Sequence, residues 1–156
     1  DFSVPAMKLD QGVPCGQYES LDTSKLPPLY LAYDASVGEP TEVFHNRLRE
    51  RFEQGDTQVL QAMQQFAELA EQGRQAIQSS QGSQIGEWID ANFDLRQSLC
   101  ELPAGQVEMV MRARATGASA KFAGSGGAII GTYQGQQMLA DLTTSLSEVG
   151  CHVLQL

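Results

Sequence analysis

Residues 120–133 read AKFAGSGGAIIGTY, four glycines set among two short runs of strand-forming residues. Glycine weakens regular structure, so this cluster needs a positive reason: a tight turn, a tolerated loop, or a place where something charged approaches the main chain. Two strands this close in sequence pair as an antiparallel hairpin. Whatever precedes them must deliver the chain to that hairpin, and whatever follows must pack back on it.

The segments on either side supply those parts. LYLAY, Leu29–Tyr33, is a strand by its aromatic and apolar density, and Pro28 gives it a clean start. Thr41 then serves as an N-cap for a helix carrying Phe44, Leu48 and Phe52, which Gly55 stops. Asp56 caps a second helix with the apolar set Val59, Met63, Phe66, Ala67, Ala70 and Ile77. The spacing predicts a third over 83–99 with Ile85, Trp88, Ile89 and Leu95 inward, and a fourth over 105–116 with Val107, Val110 and Met111, ending at Gly117. After the hairpin, Met138, Leu139, Leu142, Leu146 and Val149 return to helical spacing, Gly150 closes that helix, and CHVLQL is a last strand. Residues 1–28 are turn-rich, with a short strand around 17–21, and form an extended lead-in to a domain over 29–156. The order implies an α+β fold: a ferredoxin-like βαββαβ antiparallel sheet, helices on one face, with an enlarged helical insertion in the first crossover.

Composition narrows the partners. A chain of 156 residues, 42% of them hydrophobic, builds one good core. Its net charge of -9 without a basic run argues against nucleic acid and anionic membrane. No apolar run reaches the ~18 residues of a membrane span. Cys15, Cys100 and Cys151 are far apart and outside any C-x-x-C, so reduced thiols in a cytoplasmic protein are expected. His45 has no second His or Cys at metal spacing and reads as a helix-surface histidine; no metal site is expected.

The glycines do not spell a self-sufficient nucleotide loop. A Walker A loop needs Lys followed by Ser or Thr at its end, yet the nearby lysine, Lys121, precedes the loop. A dinucleotide fingerprint opens a helix, whereas here a strand follows. Either the segment is a plain glycine hairpin, or its bare amides form a nest facing a bound group. Lys121 is either the cation of that site or a lysine pointing to solvent. Asn92 interrupts the apolar line Ile85, Trp88, Ile89, Leu95, with Arg96 one turn beyond; a helix-to-helix hydrogen bond accounts for it as well as a pocket does. Asp34, after the first strand, is a solvated loop carboxylate on the plainer reading.

The run AKFAGSGGAIIG resembles the third, C-terminal signature of the GHMP kinases. LDTSKLPPLYLAY, GDTQVLQAM, LAEQGRQAI and NFDLRQSL resemble the C-terminal half of the glucuronokinase-like sugar-1-kinases within that family, and together these cover most of residues 18–156. The resemblance implies a ferredoxin-like domain from an ATP-dependent kinase that phosphorylates a sugar or sugar acid at its anomeric hydroxyl. Gly124, Ser125, Gly126 and Gly127 would approach the substrate and buttress the phosphate loop, with Lys121 the nearest cation. Asn92 and Arg96 would face the acceptor pocket, where an arginine fork suits a uronic acid carboxylate, and Asp34 would reach the same cleft.

The family's N-terminal phosphate loop and catalytic Asp are absent from this sequence, which also lacks an initiator Met. The chain is therefore expected to be a piece of a longer kinase, with no catalytic residue of its own and no activity alone. ATP and Mg²⁺ would be held mainly by the N-terminal kinase domain, the chain's natural partner. An uncovered cleft face would favour a homodimer. Two rivals remain: a non-catalytic ferredoxin-like ligand-binding or regulatory module, and a GHMP kinase for another acceptor such as a heptose, galactose or homoserine.

Overall fold

The computed structural model of the chain describes residues 8–10, 13–15, 20–34, 48–124 and 126–156. Strands β1 (Lys8–Asp10) and β2 (Val13–Cys15) pair antiparallel as a small separate ribbon. The strand expected around 17–21 is not found where it can be checked: Ser20 and Leu21 have no regular structure, and 17–19 lie outside the described residues.

The main sheet contains β3 (Leu29–Tyr33), β4 (Lys121–Phe122), β5 (Ala128–Thr132) and β6 (His152–Gln155). Its order is β4-β5-β3-β6 with every pair antiparallel. Tyr30 opposes Gly131 and Ala32 opposes Ile129, so these four share one face and are buried, while their neighbours along each strand are half-buried. Between β3 and β4 run the helices α1 (Thr57–Gln78), α2 (Ile85–Leu99) and α3 (Ala104–Ala115), and between β5 and β6 runs α4 (Gly135–Ser147). The chain order expected from the sequence is therefore present.

Helix ends follow local chemistry. Residues 48–53 are helical and stop at Gly55, whose φ of 73° suits glycine; Thr41, Phe44 and His45 of that predicted helix lie outside the described residues. Asp56 accepts from the Gln58 and Val59 amides and caps α1. Gly117 and Gly150, at φ of 88° and 82°, follow α3 and α4. Arg51 donates to Asp56 at 2.8 Å and to the Leu99 carbonyl at 2.7 Å, which ties the start of α1 to the end of α2.

The buried faces differ from expectation. In α1 the buried residues are Val59, Ala62 and Ala76, with Phe66, Leu69 and Gly73 half-buried between them; Met63, Ala67 and Ala70 are exposed. Alternating steps of three and four mark a narrow seam against one antiparallel neighbour, α2, and not a broad stripe. In α2 it is Phe93 and Leu99 that are buried, while Ile85, Trp88, Ile89 and Leu95 are only half covered. In α3 the buried set is Gln106, Met109, Val110 and Ala113, and Met111 is exposed. The core gathers Tyr30, Ile129 and Phe122 from the sheet with Phe93, Met109, Val110, Leu142 and Leu146 from the helices.

Two sets of contacts bind these layers. Arg114 of α3 pairs with Asp90 of α2 at 2.9 Å and with Asp94 at 2.6 Å, donates to the Asp90 and Ala120 carbonyls, and lies 5.1 Å over the Phe93 ring. Asp90 in turn accepts from the Ala120 amide at 2.8 Å, just before β4. Burial raises the Asp90 pKa despite these partners. Deeper, the Tyr30 hydroxyl donates to the Ser119 carbonyl at 2.9 Å. A β-carbon on Gly131 would overlap that same carbonyl oxygen and come 2.9 Å from the Tyr30 ring.

Close approach to backbone cannot be relieved by a rotamer change. Gly131→Ala is therefore expected to destabilise the fold by about 3 kcal/mol, by overpacking. Gly73→Ala, in an α1 position with open space around the added carbon, should stabilise it by about 0.5–1 kcal/mol through helix propensity. Urea unfolding of the two variants beside the parent checks both signs.

Candidate functional site

The glycine turn lies between β4 and β5 at one edge of the sheet. Its flanks are anchored: the Ala123 amide donates to the Ala128 carbonyl at 2.9 Å, and the Asp34 amide, at the end of β3, donates to the Gly127 carbonyl at 3.0 Å. Gly126 and Gly127 both have positive φ, 148° and 73°. Gly124 faces open space. Ser125, expected at the site, lies outside the described residues.

Arg96 reaches the turn from α2. Its Nη1 donates to the Gly124 carbonyl at 2.9 Å and its guanidinium lies 5.2 Å over the Phe122 ring, which meets Phe93 edge-on at 5.3 Å. The stacking holds the arginine plane and the hydrogen bond fixes its reach. Lys121, on β4, is half-buried and donates to the Phe122 carbonyl at 3.2 Å. Burial, and secondarily the Arg96 charge, pull the Lys121 pKa below its ordinary 10.5; burial also lowers that of Arg96. Two cations thus share a half-buried corner beside bare backbone, an arrangement suited to oxygens of an anionic group.

The other expected residues divide. Asp34 brings its backbone to the turn, and its side chain is half-buried. Asn92 is half-buried one helical turn before Arg96; among the described residues its side chain makes no hydrogen bond, so the helix-to-helix bond is not seen. Cys100 and Cys151 are free thiols whose pKa values burial raises, which leaves them poor nucleophiles. Among the described residues no group of three or more His, Cys, Asp or Glu is placed to hold a metal ion, and no helix is long and apolar enough to cross a membrane. Among the described residues the large exposed apolar side chains, Leu26, Phe52, Leu60, Met63, Met111, Leu154 and Leu156, are not on the turn.

Sequence reasoning missed Gln106. It is 1% exposed on α3, and its carboxamide lies against Gly126, where a β-carbon would fall 2.6 Å from its Cδ. The signal was available: Gln106 stands three, four and seven residues before Met109, Val110 and Ala113, a polar residue on the buried line.

This arrangement of sheet and helices occurs in solved proteins. By fold the chain is similar to L. major mevalonate kinase solved with R-mevalonate, at TM-score 0.73 and 17% identity over 82% of this chain and 41% of that one. A Listeria innocua protein matches at TM-score 0.74 and 20% identity, over 90% of this chain and 41% of its own. Mevalonate kinase from methicillin-resistant Staphylococcus aureus matches at 0.55 and 12%, over 94% and 46%. No family model matches. In sequence it is 38% identical over 135 residues to glucuronokinase 1 of Arabidopsis thaliana and 41% identical over 135 residues to probable glucuronokinase 2 of the same plant. Each match spans 83% of this chain but only 36% and 35% of those proteins, so the chain covers about a third of their length. The resemblance read from the sequence is borne out: over these residues the chain matches a GHMP-kinase C-terminal domain, close to the glucuronokinases.

The lowered Lys121 pKa sets a testable pH dependence. Folding penalises its charged form, so the cost to stability is full at neutral pH and fades as pH rises through the lowered value towards 10.5. Lys121→Met should melt higher than the parent at pH 7, with the gap closing in alkaline buffer. Melting curves across that range check it.

Proposed function

We propose that the chain is the C-terminal domain of an ATP-dependent GHMP sugar kinase that phosphorylates a uronic acid or related sugar at its anomeric hydroxyl. The observation that carries this reading is the 38–41% identity to two glucuronokinases. The turn supports it by holding a guanidinium and an ammonium beside bare backbone. The strand order, with β3 and β5 central and β4 and β6 at the edges, supports reading the sheet as ferredoxin-like.

In this reading Gly124, Ser125, Gly126 and Gly127 wall one side of the cleft. Arg96 answers the uronic carboxylate, Lys121 adds positive charge, and Asn92 and Asp34 border the acceptor pocket. Phosphoryl transfer moves the terminal phosphoryl group of ATP to the acceptor oxygen while ADP leaves and the hydroxyl proton is lost. ATP and Mg²⁺ supply the phosphoryl group and neutralise its charge. In this reading ATP and Mg²⁺ are held mainly by a separate N-terminal domain. The chain alone would then be inactive, its working partner being that domain, and its free thiols suit the cytoplasm.

The full-length gene product, given ATP and a panel of sugar acids and neutral sugars, should turn over a uronic acid. Absence of any uronic acid turnover would sink the acceptor assignment. Arg96→Lys should raise KM for the uronic acid roughly tenfold, the loss of a bidentate carboxylate grip, while moving KM for ATP much less.

A further inference from the structure

We propose that Gln106 is a positioning residue that sets which way the Gly126–Gly127 peptide faces, and through it how the turn meets an anionic ligand. The inference rests on the kinase reading above. Gln106 is 1% exposed, and among the described residues neither its side-chain oxygen nor its nitrogen has a hydrogen-bond partner. A carboxamide buried in that condition has given up water at both polar ends for nothing in return, a state that folded proteins rarely keep without a use.

The unfilled ends are aimed at the turn. A β-carbon at Gly126 would fall 2.7 Å from Gln106 Nε2 and would overlap its Oε1. Gly126 must be bare because the carboxamide occupies that space. Two successive glycines at positive φ leave the peptide between them free of side-chain obstruction when it rotates. The backbone on either side of the turn is held, by Asp34 on the Gly127 carbonyl and by Ala128 on the Ala123 amide.

The N–H and C=O of a trans peptide point in opposite directions. With the Gly127 N–H turned outward to an anion, the Gly126 carbonyl turns inward, where Gln106 Nε2 donates to it. In the fold described above the peptide makes neither this bond nor its reverse, and both ends of the carboxamide stay unpartnered until a ligand draws the Gly127 N–H outward. Gln106 touches no ligand; it acts through the peptide.

The test uses the full-length protein and the variants Gln106→Met and Gln106→Leu, which keep the volume and remove both polar ends. Because no hydrogen bond is lost in the ligand-free fold, the melting temperature should stay or rise. KM for one of the two anionic substrates should rise about tenfold, the size of one lost hydrogen bond in the ligand-bearing state, with kcat moving less. Saturation with Mg²⁺-ATP and glucuronate should slow amide exchange at Gly127 in the parent and not in the variants. Variants that melt lower or fail to fold show a Gln106 that already had a structural role, and overturn the proposal. So does an unchanged KM for both substrates, or retained protection at Gly127. A parent protein inactive on every sugar and sugar acid tested would instead take down the kinase reading, and this inference with it.

Discussion

Arg114 is the residue on which the site's geometry depends. It sits at the C-terminal end of α3, pairs with Asp90 and Asp94 on α2, and donates to the Ala120 carbonyl at the mouth of β4. Asp90 closes the circuit by accepting the Ala120 amide. Three elements separated in sequence are thereby locked at one point, and each carries a residue of the turn site: Arg96 on α2, Gln106 on α3, Lys121 on β4. Arg114 and Asp90 are largely covered while Asp94 is exposed, so water screens the Arg114–Asp90 pair least, and removing either of the two leaves the other half-buried without its main partner. Burial raising the Asp90 pKa expresses the same tension. The arrangement is tolerable because every charge in it has a partner.

The glycines of the hairpin answer to different physical demands. Gly131 is bare because the Ser119 carbonyl and the Tyr30 ring press against it from within the core. Gly126 is bare because the Gln106 carboxamide fills the place of a side chain. Gly124 faces open space, and of the three it alone leaves room for another molecule. A cluster that looks uniform in sequence is thus partly packing and partly site. The cations beside it are oriented by protein carbonyls and an aromatic face, so their positions are set by the fold itself.

Much of the fold was legible in the residues. Asp56 as a cap, and Gly55, Gly117 and Gly150 as helix ends, act through contacts within one turn of chain, so a linear reading finds them. The helix faces were read less well. In α1 the expected stripe included Met63, Ala67 and Ala70, but the seam with α2 runs through Ala62, Phe66, Leu69 and Gly73. Apolar residues there are plentiful enough to support two neighbouring faces, and the choice belongs to the partner helix. The same slip in α3, towards Met111 and away from Met109, hid Gln106. Arg96, Lys121 and the glycines were legible as candidates because of their kind and spacing. That they share one cleft followed from the family resemblance; the contact itself, Arg96 to the Gly124 carbonyl across 28 residues of chain, did not.

The amino-acid sequence by itself determined the order of strands and helices, where most helices end, and the kinship with glucuronokinases, because caps, glycine conformations and residue identity are local properties. Only the tertiary structure decided which face of each helix is buried, what fills the space beside Gly126, and that Arg96, Gln106 and Lys121 meet at one turn. Those outcomes depend on the shape of a neighbour distant in the chain, and packing and charge pairing act on the neighbours that folding supplies.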